Sequence, residues 1–380
     1  MRYRLERVEN RRRQADFYRA RCWVYRHNPA AVIPLRRMEW SLLDSNEHPF
    51  YLHARRELWV AYDGRQPVGR IAAIVDDLHN SHYQDRLGFF GFFESPNDPH
   101  CASLLLNAAR EWLCEQGCNS MRGPVSPSMK GEFGVLLTGH ELPPYIMMGY
   151  SPPYYDSLLQ SQGPRPVKKF FSFQINWPEH HAEILANQRH LTQVCERVHQ
   201  RFPDISIRPA TPANLDTVLR EINRIGNTIR SRGWGFVPMT EAELDYMVKQ
   251  IRRVIRPHTV IAAYWQDRLV GYNVTIPNVN WALRRARGHW DWLRLPQLLY
   301  WLPRIPQVRT IAVGVDPNIR AKGIATMLTK AMVDLGSQFV EWEFGWIDEA
   351  NLPSLSALRR AVPMRQSKTY QLYEESWSGG

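Results

Sequence analysis

The chain has 380 residues, of which 44% are apolar and 22% charged, so it is long and apolar enough to build two packed cores. A formal net charge of +11 favours polyanionic ligands or an anionic surface as partners. Five cysteines without a CxxC pair and the lack of any run of ~20 apolar residues argue against a disulfide framework and a membrane span.

The first residues, MRYRLERVENRRR, are basic but have no uninterrupted apolar run. A secretory signal peptide needs such a run, so we predict a cytoplasmic protein. The arginines stand among Glu6, Glu9 and Asn10, without a zinc pattern or an aromatic-basic repeat, which argues against a nucleic-acid partner. HExxH is absent as well, so no metal ion is expected.

The first half predicts a hairpin, a strand, a helix and one more strand. Alternating and β-branched residues define the strands, and Asp63-Gly64 closes the hairpin. These elements cover residues 57–62, 66–75, 87–94, 101–116 and 119–123. The chain after the strand LGFFGFFE reads SPNDPHCASLL, with no basic residue beyond His100.

A segment rich in glycine, proline and tyrosine follows, from residue 123 to 159. A long stretch with little periodicity but high apolar content is typical of a functional segment. Glu132 within it is a candidate general base for an amine, because a partly buried carboxylate can be tuned towards neutral pH. The alternative is that Glu132 caps or pairs locally.

The second half begins with a short strand at 205–208 and a helix for which Thr211 is the expected N-cap and Pro212 the first helical residue. Thr240 and Glu243 form a capping box at the start of the next helix. Residues 259–265 and 268–276 predict a hairpin.

Between Asn278 and Pro306 the chain carries five arginines, four tryptophans and six leucines. Trp and Tyr beside Arg are typical of a segment at a membrane surface or along an acyl tunnel. The alternative is a helical insertion packed on the first domain, with its arginines in solvent.

The stretch TIAVGVDPNIRAKGIATMLTKAMVDL, from 310 to 335, predicts a buried strand that contains Val313 and Val315, a stop at Asp316-Pro317, and a helix. The glycine at 323 and the small Ala325 leave backbone N–H groups accessible where this helix begins. With the helix dipole and the basic Arg320 and Lys322, they would bind a phosphate or pyrophosphate.

Arg320, Gly323 and Ala325 fill the three defining positions of Arg/Gln-x-x-Gly-x-Gly/Ala, so the stretch resembles the coenzyme A-binding motif of the GNAT acyltransferases. The resemblance implies that the strand at Val313 and Val315 pairs with the pantetheine arm of acyl-coenzyme A. It further implies that N–H groups of Gly323, Ile324 and Ala325 hold the pyrophosphate, beside Arg320 and Lys322. Asn351, early in the last helix, matches a residue that faces the pantetheine.

The sequence departs from the family in two places. Members often carry a tyrosine as general acid seven residues after this asparagine, where this chain has Leu358, and Val362-Pro363 replaces a common Gly-Phe pair. Glu343, or Glu341 on the same face of its strand, is a further candidate base, and Tyr370 or Tyr373 a replacement acid. Glu341 and Glu343 would alternatively be solvent-side residues of an edge-facing surface.

The order of elements in the first half repeats that of the second, which predicts a mixed α/β fold of two GNAT-like domains, each a mostly antiparallel central sheet flanked by helices. We expect a degenerate domain at 1–175 that supports the acceptor, a helical linker at 176–204 and an acyl-coenzyme A-binding domain at 205–380. The segment at 123–159 resembles a segment of long bacterial GNAT-like proteins of tandem organisation, which implies that it lies near the acceptor site.

The resemblance implies an acyl-coenzyme A-dependent N-acyltransferase that passes the acyl group directly to an amine. The acceptor stays open between an amphipathic or lipid-type amine, an amino acid and a protein amine. Contact with the inner membrane through residues 278–306 is a second expectation. The alternative function is a non-catalytic sensor or scaffold that binds acyl-coenzyme A.

Overall fold

The structure, a computed structural model, describes residues 2–231, 233–286, 288 and 290–377, and at 320–322, 353–355, 357 and 361 it describes the backbone only. The chain divides into two compact units. Unit 1 comprises Met1–Lys169, Ala286–Pro296 and Lys368–Gly380. Unit 2 comprises Phe170–Arg285 and Gln297–Ser367.

The elements up to residue 161 all belong to unit 1. They are β1 (Tyr3–Arg7), α1 (Arg11–Val24), α2 (Arg36–Ser41), a 3-10 turn (Pro49–Leu52), β2 (Ala54–Asp63), β3 (Gln66–Asp76), α3 (Asp77–Tyr83), β4 (Leu87–Glu94), α4 (Pro99–Glu115), β5 (Ser120–Gly123), β6 (Val125–Ser126), β7 (Glu132–Phe133), β8 (Val135–Thr138) and α5 (Tyr155–Ser161).

The later elements begin with a strand across the first unit boundary and end with one across the last. They are β9 (Arg165–Asn176), α6 (His181–Arg201), β10 (Ile205–Pro209), α7 (Leu215–Arg230), α8 (Glu241–Ile251), β11 (Val260–Trp265), β12 (Arg268–Pro277), α9 (Val279–Arg285), α10 (Asp291–Trp301), β13 (Gln307–Val315), α11 (Ile324–Gly336), β14 (Glu341–Asp348), α12 (Ser356–Ala361) and β15 (Arg365–Ser376). Further 3-10 turns cover Pro257–Thr259, Leu302–Arg304, Pro317–Lys322 and Glu349–Leu355.

Each unit contains a sheet of the same order. In unit 1, β1, β2, β3 and β4 are antiparallel neighbours, β4 pairs parallel with β5, and β5 pairs antiparallel with β15. In unit 2, β10 to β13 are antiparallel neighbours, β13 pairs parallel with β14, and β14 pairs antiparallel with β9. A helix links the parallel pair in each unit, α4 in the first and α11 in the second. The predicted mixed α/β fold is confirmed.

Each unit has its own apolar core. In unit 1, Leu105, Leu106 and Leu113 of α4 are fully buried against the sheet. In unit 2, Leu328 of α11 and Trp342 of β14 belong to one buried cluster. The apolar periodicity of the two linking helices therefore corresponds to the face that each helix buries.

Local helix signals were mostly correct. The capping box of Thr240 and Glu243 is present at the start of α8. The predicted start of α7 at Thr211 is wrong: the helix begins at Leu215, because Thr211 donates its N–H and hydroxyl to the Asn214 side chain and forms a turn there.

Part of the 278–306 insertion packs as the second interpretation expected. Residues Ala286–Pro296 belong to unit 1. Not all of the arginines lie in solvent, however, since Arg294 is only 7% exposed. Among the described residues, no helix is long and apolar enough to cross a membrane.

Candidate functional site

The parallel strands β13 and β14 of unit 2 pair only over their first residues. Gln307 lies opposite Glu341, and the pairing ends where Thr310 lies opposite Phe344. Beyond this point β13 continues along β12, whereas β14 pairs with β9. We call the space between residues 311–315 and 345–348 the wedge. Among the described residues, no strand pairs with this edge of β13, so an extended ligand can pair there.

Two features of β13 keep the wedge accessible. The register with β12 shifts between Val274 and Thr275, which places a bulge at Ile311 where the strands diverge. Val313, one of the residues predicted to contact the donor, is 56% exposed, and Val315 is partly buried. A valine so exposed in a strand is available to an apolar or amide-bearing ligand.

Helix α11 begins beside this strand with a glycine. Gly323 has a φ of +76°, which favours glycine, and a Cβ there would lie 2.6 Å from Cγ2 of Val198. Within the described part of the chain, no side chain caps the helix. Ile324 is fully buried and Ala325 is exposed. The first N–H groups of α11 are therefore suited to an anion.

The other predicted donor contacts lie on short 3-10 turns. Arg320 and Lys322 belong to Pro317–Lys322, and the placement of their side chains lies outside the described residues. Asn351 lies on Glu349–Leu355 and is exposed. Leu358, where the resemblance implied a tyrosine as general acid, is packed in the core of unit 2.

A buried polar group fixes β14 at the point where it leaves β13. Arg309 is 3% exposed and donates to the carbonyl oxygen of Gly345 through Nε (3.1 Å) and Nη2 (2.7 Å). Its guanidinium lies 4.8 Å from the centre of the Trp346 ring. Glu343, the register partner of Arg309, is 0% exposed and accepts a hydrogen bond from the Ser367 hydroxyl at 2.7 Å.

The three candidate catalytic residues lie in different environments. Glu343 is in unit 2, and the alternative that it is a solvent-side residue of an edge is wrong, because it is 0% exposed and β14 has a strand on each side. Glu341 is partly buried beside Gln307, which donates to it. Tyr370 in unit 1 is fully buried, and its hydroxyl donates to the carbonyl oxygen of Gly149 at 3.2 Å. Tyr373 is also fully buried.

Within unit 1 the structure brings Glu132 and Tyr370 to the same stretch of backbone. A Cβ at Gly149, whose carbonyl accepts from Tyr370, would lie 4.0 Å from the Cβ of Glu132. Glu132 is partly exposed and lies opposite Ser126 in the β6–β7 hairpin. Solvent therefore reaches Glu132 and Glu341 among the candidates, whereas Glu343, Tyr370 and Tyr373 are fully buried.

Glu132 borders a buried network of charges in unit 1. Glu39 contacts Arg70 at 2.5 Å and Arg21 at 2.8 Å, and Arg70 lies 3.6 Å from Glu94. Burial opposes the charge of Arg21, but the carboxylates of Glu39, Glu132 and Glu94 outweigh it and raise its pKa. Burial likewise raises the pKa of Glu94, whereas Arg70 and Arg21 overcome burial at Glu39 and lower its pKa.

Unit 1 fills its own counterpart of the wedge. The parallel pairing of β4 and β5 ends at Phe89. Beyond it, the N–H of Phe92 donates to the Ser126 hydroxyl at 2.9 Å. A Cβ at Gly91 would lie 1.6 Å from the carbonyl oxygen of Val125, so the two backbones are in close contact.

The start of helix α4 in unit 1 is also occupied by side chains of the chain itself. Asp98 accepts from the N–H of His100 at 2.9 Å and from the Tyr3 hydroxyl at 2.7 Å. Pro99 holds the first helical position. A carboxylate therefore lies where an anionic ligand would bind α11.

Sequence reasoning missed several of these residues. Arg309 could have been found from the sequence, because it is a charged residue that interrupts the apolar run of a buried strand. Asp98-Pro99 could have been found too, since Asp followed by Pro is a typical helix start. Ser367 had no signal, because its partners Glu343 and Ser172 come from other strands.

The described residues give little support for a metal site or for a cysteine nucleophile. They contain no group of three or more His, Cys, Asp or Glu side chains placed to hold a metal ion. The five cysteines are free, and burial raises the pKa of the Cys101 thiol to about 12. A thiol so far from ionisation is a poor nucleophile.

Comparison with solved structures defines the fold. A tandem GNAT protein from the clavulanic acid biosynthesis pathway superposes with a TM-score of 0.57 over 98% of both chains, at 12% identity. A GCN5-related N-acetyltransferase from Sphaerobacter thermophilus gives a TM-score of 0.50 over 99% of this chain and 96% of the other, at 16% identity. The fold is therefore that of the tandem GNAT proteins, and the predicted resemblance is confirmed at the level of fold.

Two curated proteins resemble the chain over most of its length. Bacterial ceramide synthase of Caulobacter vibrioides (strain NA1000 / CB15N) is 28% identical over 363 residues, which cover 92% of this chain and 91% of that protein. Protein YghO of Escherichia coli (strain K12) is 27% identical over 369 residues, 93% of this chain and 90% of its own. No family model matches the chain.

Proposed function

We propose that the protein is an N-acyltransferase that uses acyl-coenzyme A as its donor. The observation that carries this proposal is the wedge of unit 2, next to a helix start that no described side chain caps. The amide groups of a pantetheine arm would pair with the free edge of β13 at Val313 and Val315. The pyrophosphate would meet the N–H groups of Gly323, Ile324 and Ala325.

The residues around the motif suit the rest of the donor. Arg320 and Lys322 supply positive charge next to the helix start, and Asn351 is exposed for a polar contact. The buried contacts of Arg309 tie Gly345 of β14 to β13 and so fix the point at which the wedge begins. We assign Arg309 and Glu343 as positioning residues on this basis.

Direct transfer needs few groups. The amine nitrogen attacks the thioester carbonyl, the carbon–sulfur bond breaks as the carbon–nitrogen bond forms, and the departing thiolate takes up a proton. A backbone N–H of β13 would stabilise the charge that develops on the carbonyl oxygen. Glu132 and Glu341 are our candidates for the group that removes the amine proton, because solvent reaches both carboxylates, whereas Glu343 is fully buried.

For the acceptor we propose an amphipathic amine of the sphingoid-base type. The supporting observation is the similarity to a bacterial ceramide synthase over nearly the whole of both chains. Ceramides are N-acylated sphingoid bases, so the name of that relative specifies both an amine and a long acyl chain. A small amine or a protein amine is not favoured by any contact of the described residues.

Thermal denaturation with acyl-coenzyme A thioesters of two to eighteen carbons tests the donor. A ligand that binds only the folded state adds about 2.7 kcal/mol at a hundredfold excess over Kd. A rise in Tm that peaks at long chains supports a lipid-type transferase. A rise that peaks at acetyl points to a small acyl group, and no rise with any thioester overturns the donor assignment.

Release of free thiol from the best donor, with and without a sphingoid base, then tests turnover. Glu132→Gln should lower kcat about a hundredfold while donor-induced stabilisation stays the same. The matched control is Glu141→Gln, which changes an exposed carboxylate of the same segment. Equal rates for the two variants would remove Glu132 from the reaction.

The second candidate function is a sensor or scaffold that binds acyl-coenzyme A without turnover. The observation that favours it is Leu358, which is buried where the family often has its acid. A sensor would show the stabilisation by thioesters but release no thiol with any amine. The same pair of measurements therefore separates the two functions.

A further inference from the structure

Helix α10 is anchored to unit 1 by its polar side chains. The carboxylate of Asp291 accepts from the backbone N–H groups of Arg36 and Arg37, each at 3.1 Å. These are the first two residues of α2. The contact fixes the start of α10 and places two exposed arginines beside it.

A buried arginine completes the anchor. The guanidinium of Arg294 donates to the carbonyl oxygens of Ile33 (2.7 Å), Pro34 (3.2 Å) and Ala286 (3.2 Å). A charge only 7% exposed needs such partners. The inward side of α10 in unit 1 is thus polar.

The outward side is apolar. We call it the α10 apolar face, and its members, with exposed fractions, are Trp290 (61%), Trp292 (70%), Leu293 (40%), Leu295 (46%), Leu299 (60%) and Tyr300 (55%). The spacing of Trp292, Leu295 and Leu299 forms one stripe along a helix. Up to Pro296 the helix therefore has the reverse of the usual arrangement, in which apolar residues pack inward, whereas Leu298 in its last turn is buried.

This arrangement contributes nothing to the core of the protein. Apolar side chains stabilise a fold when they leave water, and these remain in it. A contiguous exposed apolar surface of this kind marks a docking site. Two tryptophans and a tyrosine among six members match the composition found at the boundary of lipid and water.

The basic residues around the α10 apolar face indicate which partner would cover it. Arg36 and Arg37 are exposed and held beside the face by Asp291. At the other end of the helix, the exposed Arg304 stacks on Tyr300, 4.0 Å from the ring centre. The whole chain has a formal net charge of +11. Basic groups around an aromatic apolar face are complementary to anionic headgroups over acyl chains.

We propose that the α10 apolar face docks the protein on the surface of a membrane that contains anionic phospholipid. The helix would lie in the interface with its apolar side chains among the upper acyl chains. The inference does not rest on the proposed function, because it uses no residue of the wedge.

Co-sedimentation of the full chain with vesicles tests it. Vesicles of phosphatidylcholine mixed with phosphatidylglycerol should bind about tenfold better than phosphatidylcholine alone. Leu295→Asp should reduce binding to the mixed vesicles about tenfold or more. Its matched control is Leu185→Asp on α6, where the leucine is 47% exposed against 46% for Leu295. The control should bind like the unaltered protein.

A second readout locates the contact. Brominated lipids should quench part of the tryptophan fluorescence, and Trp292→Phe should remove a share of that quenching. Equal binding by the Leu295 and Leu185 variants, or no binding of the unaltered protein to either vesicle, overturns the proposal. So does a dimer in light scattering that Leu295→Asp dissociates, because a second copy would then cover the face.

Thermal stabilisation by acyl-coenzyme A keeps the two hypotheses apart. Leu295→Asp should retain it, since the variant lies outside the wedge. Loss of vesicle binding with retained stabilisation supports docking through this face. Loss of both at once would mean a folding defect, and the milder Leu295→Ser, expected to weaken vesicle binding several-fold relative to Leu185→Ser, then decides the proposal.

Discussion

The two units share one strand order but differ where a parallel strand pair is joined by its helix. In unit 2 the strands separate after Thr310 and Phe344, and α11 follows its N-cap Gly323 without a side-chain cap among the described residues. In unit 1 the corresponding space holds Val125 and Ser126. The same topology thus supports one open ligand-binding geometry and one that the chain itself closes.

The difference shows that one strand order can either leave this space open or fill it with the chain itself. In unit 1 the backbone N–H groups that a ligand would need already have acceptors. The Ser126 hydroxyl accepts from Phe92, and the Asp98 carboxylate accepts from His100 at the start of α4. In return they satisfy groups that otherwise would be left without a partner as the region is buried. In unit 1 these backbone donors are therefore used by groups of the chain itself.

The largest expected effect is on the stability of unit 1, when a methyl group is added at Gly91, where the chain fills the space between β4 and β5. Gly91→Ala places a Cβ 1.6 Å from the Val125 carbonyl oxygen, and because that neighbour is backbone it cannot rotate away. We expect a loss of about 3 kcal/mol in the free energy of unfolding. Urea denaturation measures it.

The matched variant in the open unit is Gly314→Ala. Its Cβ would meet the Tyr272 ring at 3.0 Å, a contact that a small shift relieves, and the expected loss is about 1 kcal/mol. A loss of only about 1 kcal/mol for Gly91→Ala would show that Val125 and Ser126 yield easily. The closed state of unit 1 would then be loose rather than packed.

The second prediction concerns charge at the two helix starts. Ala325→Glu puts a carboxylate on the exposed second residue of α11, where it competes with a pyrophosphate for the same N–H groups. Binding of acyl-coenzyme A should weaken about a hundredfold, equivalent to ~2.8 kcal/mol. Calorimetric titration gives the Kd.

His100→Glu is the control, because His100 is the second residue of α4. It should leave the Kd unchanged, since Asp98 already occupies that helix start. A control that weakens binding as much as Ala325→Glu would contradict the assignment of the donor to unit 2. Both variants should unfold at nearly the temperature of the unaltered protein.

The sequence predicted best those local features that residues close together in the chain determine. The capping box of Thr240 and Glu243 and the stop at Asp316-Pro317 involve residues within one turn of each other, and both are present. The start of α7 was misplaced even though it is local. Two residues there can each cap a helix, and the turn between Thr211 and Asn214 was the better solution.

What the sequence could not show depends on partners far along the chain. The closure of unit 1 needs Ser126 to reach Phe92, and the burial of Glu343 needs β9 beside β14. The reversed orientation of α10 likewise depends on Ile33 and Pro34, which receive the Arg294 guanidinium. The apolar stripe within the helix would have predicted its inward side, and here it marks the outward side.

The third prediction removes the hydroxyl that closes unit 1. Ser126→Ala leaves the Phe92 N–H without its acceptor, at a cost of about 2 kcal/mol. Ser128→Ala removes an acceptor that serves only the N–H of Lys130 two residues later, and should cost less than about 0.5 kcal/mol. If the order of the two losses is reversed, Ser126 does not hold the closed strand.

The smallest effect is expected at the cap of α4. Asp98→Ala should lower the free energy of unfolding by about 1 kcal/mol, and Asp98→Asn by less, because asparagine also caps well.

The Tyr3 hydroxyl and the N–H of His100 lower the pKa of Asp98 below its unfolded value. Its charge therefore stabilises the protein above that unfolded value, near 3.9, and this contribution is lost as pH falls through the folded pKa. The stability gap between the unaltered protein and Asp98→Ala should be full at pH 7 and shrink near pH 3. A gap that stays constant would show that the carboxylate caps α4 no better than a neutral oxygen, and that unit 1 excludes an anion by shape alone.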